Sequence, residues 1–82
     1  MIKDLIMDAK TDKDSMYVLI KQFEPLIDKY SRLLNYEEAR TDLIIAFIEL
    51  IHKIPCLETP KNISYINKSI KNTYIRFSKS NN

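Results

Sequence analysis

Eighty-two residues with 45% hydrophobic and 29% charged side chains make one small folded domain, too short for two separate cores and too apolar for a disordered chain. Glycine is absent and cysteine occurs once, as Cys56, which excludes a Gly-rich phosphate cradle and an internal disulfide and suits a reducing cytoplasm. The net charge of +2 hides a split: residues 1–60 carry 8 Lys/Arg against 11 Asp/Glu, while residues 61–82 carry 5 Lys/Arg and no acid. A basic last quarter on an acidic body is the electrostatic pattern of a nucleic-acid or acidic-partner surface, or simply of a solvated Lys-rich tail.

The elements follow from the period of the apolar positions. Leu5, Ile6 and Ala9 predict a short first helix ending near Lys10. The N-terminal stretch has acids among its apolar residues, unlike a signal peptide, and no run reaches the ~18–20 apolar residues of a membrane span. Thr11 or Asp12 offers an N-cap for a second helix, with Asp14 in its first turn. Met16, Leu19, Ile20 and Phe23 stand at i, i+3, i+4, i+7, and the stripe runs on through Leu26, Ile27, Tyr30, Leu33 and Leu34. Pro25 inside it predicts a kink or a fresh helix starting there.

Asn35 is the expected end of that helix and Thr41 the expected N-cap of the next, whose core stripe reads Leu43, Ile44, Phe47, Leu50, Ile51 and Ile54 before Pro55 stops it. The last helix is expected to start near residues 60–62 and to bury Ile63, Ile66, Ile70, Thr73 and Phe77. Neither strand alternation nor an internal repeat is visible. The fold class is therefore all-α, a compact bundle of about four helices.

Eight of the eleven residues at positions 43–53 are apolar, more than one helix face uses. Assigning the stripe to the core leaves Ile45 and Ile48 on a flank, with Asp42, Glu49 and His52 close by at helical spacing. Exposed aliphatics edged by acids suit a protein partner; the alternative is a central helix covered on most sides. In the last helix Lys61, Tyr65, Lys68, Asn72, Arg76 and Lys79 fall near one face at steps of three or four. Lysine and arginine neutralise phosphates, an aromatic ring stacks on an unstacked base, and an amide reads a base edge. Tyr65 is the candidate for stacking, whereas Tyr74 reads more readily as packing.

Three stretches in order resemble region 2 of the bacterial sigma-70 family over residues 13–79. These are "FEPLIDKYSRLL", "YSRLLNYEEARTDLIIAFIELIHKI" and "SYINKSIKNTYIRFSKS". In the last, Tyr65 stands at the Trp and Asn72 at the Asn of the Trp-Leu-x-x-Ile-x-x-Asn helix of the extracytoplasmic-function type. The string "DLIIAFIELI" is most similar to the clostridial sigma factors of toxin and bacteriocin genes. The resemblance implies that the helix at 41–53 docks on the β′ clamp coiled coil of core RNA polymerase through Asp42, Ile45, Ile48, Glu49 and His52. It also implies that Lys61, Tyr65, Lys68, Asn72, Arg76 and Lys79 hold the single-stranded non-template strand of the promoter minus-ten element. Ile45 and Ala46 stand where many members have Gln and Glu, which implies a more hydrophobic docking contact.

Residues 1–82 contain no region 4 helix-turn-helix. The expectation is either an excised region 2 or a co-sigma subunit whose region 4 comes from a separate protein. No cofactor, metal or catalysis is expected, because a single His52–Cys56 pair supplies neither a metal site nor an activated nucleophile. Two other classes fit the same features: an anti-sigma-like or phage-type helical adaptor using the Ile45/Ile48 face, and a bundle whose basic end binds nucleic acid without sequence preference.

Overall fold

The computed structural model describes residues 2–54 and 59–80, with side chains described over 4–54 and 61–79. Four helices follow one another: α1 (Ile2–Ala9), α2 (Lys13–Leu34), α3 (Ala39–Lys53) and α4 (Thr59–Ser80), with no strand among the described residues. The all-α bundle expected from the apolar periods is what forms. α2 packs against all three of the others. At ~1.5 Å per residue, its 22 residues and the 22 of α4 account for most of the 37 Å long axis.

One core runs through the bundle. It joins Ile6 and Ala9 of α1, Met16, Leu19, Phe23 and Ile27 of α2, Leu43, Phe47 and Ile51 of α3, Ile54, and Ile66 and Ile70 of α4. The Phe23 and Phe47 rings meet at 5.5 Å between centroids, tilted by 44°, an arrangement that adds to their area burial. Asp12 is the N-cap of α2: its side chain accepts from the Asp14 N–H and from the Ser15 hydroxyl, the latter at 2.8 Å. These bonds, the Ser15 hydroxyl first and the Asp14 N–H next, hold the Asp12 carboxyl below its ordinary pKa. At the other end Asn35 takes the left-handed conformation, φ 56°, and its N–H bonds back to the Ser31 carbonyl at 3.1 Å, ending α2 where the sequence implied.

Three expectations are corrected, and one of the two alternatives at Pro25 falls away. α2 is a single helix through Pro25, so no fresh helix begins there; Pro25 and Lys21, one turn earlier, are both exposed, and water can serve the carbonyl that proline leaves without a donor. Leu33 is 57% exposed instead of joining the core stripe, because the core side of α2 is centred on Met16, Phe23 and Ile27, about a quarter turn away. α3 begins at Ala39, with Glu38 rather than Thr41 at the cap position and no side-chain cap bond. The earlier start lets Ala39 fill the α2–α3 corner at 1% exposure. In α4, Ile63 is exposed and Asn62 is buried, since Ile66 and Ile70 set the core line and residue 62 lies one turn before Ile66 on it.

The end of α3 is fixed from a distance. Ile54 is extended, φ −62° and ψ 134°, as a residue before proline prefers. The Lys10 ammonium from the α1–α2 turn donates to the Ile54 carbonyl at 2.7 Å and to the His52 carbonyl at 3.4 Å. A cation at a helix C-terminus satisfies orphan carbonyls and the helix dipole together. No helix of the described residues is long and apolar enough to cross a membrane. Cys56, and with it the His52–Cys56 pair, lies outside the described residues.

Candidate protein and nucleic-acid interfaces

The solvent side of α3 carries Ile45 at its centre, 50% exposed, with Glu49 and His52 exposed beside it. Asp42 and Ile48 are half-buried at the margins; Ile48 packs against the core. The five residues expected to dock on a partner therefore share one side of one helix, at steps of three and four. Asp42 is also engaged locally: the Tyr36 hydroxyl donates to its Oδ2 at 2.9 Å. Its carboxylate is oriented by the α2–α3 turn and stands in the first turn of α3, where a negative charge is favoured.

Arg40 fixes how α3 enters that face. Its guanidinium reaches back to α2, Nε to Asp28 at 2.9 Å and Nη2 to Glu24 at 2.6 Å. The fork shape of arginine suits such a two-point hold. Periodicity did not flag Arg40; its signal was the pair Glu24/Asp28, acids one turn apart on a helix otherwise outlined by apolar residues. Beyond Ile48 and His52 the side of α3 opens into a mainly apolar groove of about 510 Å³ shared with the α1–α2 turn and with Met16, Tyr17 and Ile20 of α2.

On α4, Lys61, Lys68, Asn72, Arg76 and Lys79 are all exposed and Tyr65 is 42% exposed. Their spacing sets all six within one narrow stripe along the helix, ~27 Å from residue 61 to residue 79 at the α-helical rise. No acid stands between them in sequence. Arg76 lies over the neighbouring Phe77 ring at 5.5 Å. Tyr74 belongs to the packing: its ring stacks on Tyr30 of α2 at 4.8 Å and 23°, whereas the Tyr65 ring stays exposed. Along the other edge of α4, a groove shared with α2 takes in Lys68 and Lys71. Neither this groove nor the Tyr30–Tyr74 stack was visible in the sequence, because each needs two helices to be set side by side.

No family model and no solved structure matches the chain. Among curated proteins, the RNA polymerase sigma factor TcsR of Paraclostridium sordellii is 33% identical over 66 residues, 74% of this chain and 39% of that protein. Over that stretch the chain is similar to clostridial RNA polymerase sigma factors, and is sigma-factor-like. Bacteriocin UviA of Clostridium perfringens is 29% identical over 86 residues, 87% of this chain and 46% of that protein. The chain thus spans about two-fifths of the length of the sigma factors it matches. Within this sigma-factor-like chain, the α3 face and the α4 stripe lie on different helices of one small bundle, one mixed apolar and acidic, the other basic.

Proposed function

We propose that this chain is a sigma region 2 domain: it recruits core RNA polymerase through α3 and holds the opened promoter minus-ten strand along α4. It acts by binding, not catalysis, in the bacterial cytoplasm. It serves either as part of a longer sigma factor or as a co-sigma subunit beside a separate region 4. The similarity to sigma factors supports the class of activity. The observation that carries the rest is the division of labour on the surface: Ile45 exposed among Asp42, Glu49 and His52 on α3, and an acid-free stripe of Lys, Arg, Tyr and Asn on α4.

Each half has its own physics. On α3 the contact is a small apolar centre with charges at its rim, the composition of a protein–protein hot spot. The β′ clamp coiled coil is the partner. On α4, affinity comes from phosphate neutralisation and is salt-dependent, while preference comes from Tyr65 stacking and the Asn72 amide at a base edge.

The test is binding of the purified chain to a recombinant β′ coiled-coil fragment, with Ile45→Ser and Asp42→Ala as controls. Saturable binding lost in both variants is expected. A parallel titration compares a TATAAT-like single strand with a scrambled one at moderate salt. Tighter binding of the first, abolished by Asn72→Ala, is expected; equal binding of the two would reduce α4 to a non-specific contact. A folded chain that ignores the β′ fragment would return the Ile45 face to the adaptor reading.

A further inference from the structure

Three acids among the described residues are half-buried, Glu24, Asp28 and Asp42, and the other described acids are exposed. Two of the three are neutralised: Arg40 pairs with Glu24 at 2.6 Å and with Asp28 at 2.9 Å, and Lys21 also reaches Glu24. Asp42 makes no ion pair with a described residue. Taking a carboxylate partly out of water without a cation is unfavourable, and the positive end of the α3 dipole offsets only part of that cost. A locally unfavourable choice of this kind is expected where function requires it.

In place of a cation Asp42 has a neutral donor. The Tyr36 hydroxyl, six residues earlier in the α2–α3 turn, donates to Asp42 Oδ2 at 2.9 Å. Such a bond is charge-assisted and fixes direction, yet it leaves the negative charge in place, where an arginine would cancel it. No described residue donates to Oδ1. The support is itself anchored: the Tyr36 side chain is half-buried, Asn35 ends α2 in the left-handed conformation just before it, and Arg40 ties the start of α3 to α2. Ile45 and Glu49, three and seven residues further on, fall within about 60° of Asp42 around the helix axis. A retained charge with one oxygen tied and the other open, beside an exposed aliphatic side chain, is a preorganised acceptor.

We propose that Tyr36 is a positioning residue for partner recognition on α3. Its hydroxyl holds Asp42 so that Oδ1 accepts from a donor of the docked protein, next to the Ile45 contact. The inference rests on the reading that α3 carries the docking face, and it adds the α2–α3 turn to what determines affinity there.

The test is a double-mutant cycle on the full chain, read as affinity for the β′ coiled-coil fragment. It uses Tyr36→Phe, Asp42→Ala and the two together, with the thermal midpoint of each. Tyr36→Phe should weaken binding by about tenfold, the scale of one hydrogen bond to a charged group, and leave the midpoint nearly unchanged. In the Asp42→Ala background the same change should cost nothing more, because the group it positions is gone. Asp42→Asn keeps an oxygen for the Tyr36 hydroxyl and turns the other position into an N–H donor; it should bind as weakly as Asp42→Ala and melt like the native chain. In the free protein, the ¹³C carboxylate signal of Asp42 should move in Tyr36→Phe while those of Glu24 and Asp28 stay. Native binding by Tyr36→Phe beside a loss in Asp42→Ala would overturn the positioning role and leave the docking reading standing. Equal losses in both backgrounds would give the hydroxyl its own contact with the partner, and a loss explained by early melting would make the bond structural; either overturns the inference. Binding indifferent to both Asp42→Ala and Ile45→Ser would remove the docking reading itself.

Discussion

α3 and α4 pack on the same helix, α2, and differ in what they leave outside. α3 has apolar side chains nearly all round, so burying Leu43, Phe47 and Ile51 still leaves Ile45 half in water. α4 buries a narrower line, Ile66 and Ile70 with Thr73 and Phe77 beside it, and its outer face is mostly lysine, arginine and amide, with Ile63, Tyr65 and Ile75 partly exposed among them. Packing within the bundle therefore explains each helix's inner face and not its outer one. A surplus that packing does not consume is where a partner is to be sought, and the two surpluses have different chemistry.

The sharpest way to break the comparison is to attack an inner face. Phe47→Ala removes a ring that is 2% exposed and in contact with Phe23. The expected loss is ~3–5 kcal/mol in a urea titration, enough to unfold most of a domain of this size. Next come the outer faces, where binding should change and melting should not. Ile45→Ser should leave the thermal midpoint within a degree or two while weakening the β′ fragment by about tenfold, the scale of an interface anchor. A collapse of the fold would assign Ile45 to the core instead. On α4, Lys61→Ala and Lys79→Ala should each lower the slope of log affinity against log salt for a single strand by ~0.7; unchanged slopes would show that the ends of the stripe touch no phosphate.

Smaller effects probe how α3 is held. Arg40→Ala breaks two ion pairs to α2, but Arg40 is 48% exposed and its partners about a third. Solvent screening limits the expected cost to ~0.5–1 kcal/mol. A double-mutant cycle with Asp28→Asn measures the pair itself. The smallest effect is at the Asp12 cap, whose carboxyl is held below its ordinary value by the Ser15 hydroxyl and the Asp14 N–H. A depressed carboxylate contributes its stabilisation above the unfolded-state value and loses it as pH falls through the folded-state value. Asp12→Asn keeps an N-cap oxygen but not the charge. Melting from pH 7 to below pH 3 should show the native chain ahead at neutral pH and the difference closing at the acid end.

Helix number, the ends of α1 and α2, and the two candidate faces were legible because each is set within a few residues of chain. Asp12 caps its own helix, Asn35 ends it, and the 3.6-residue period places Asp42, Ile45, Glu49 and His52, or Lys61 to Lys79, on one side whatever surrounds them. The charge split needed only counting. The tertiary structure alone decided the start of α3 at Ala39, the Arg40 hold on Glu24 and Asp28, the Lys10 cap on α3, the Tyr30–Tyr74 stack and the groove beside it. The side-chain contacts among these join residues 12 to 44 positions apart. Periodicity states which side of a helix turns inward and carries no information on which neighbour that side will meet.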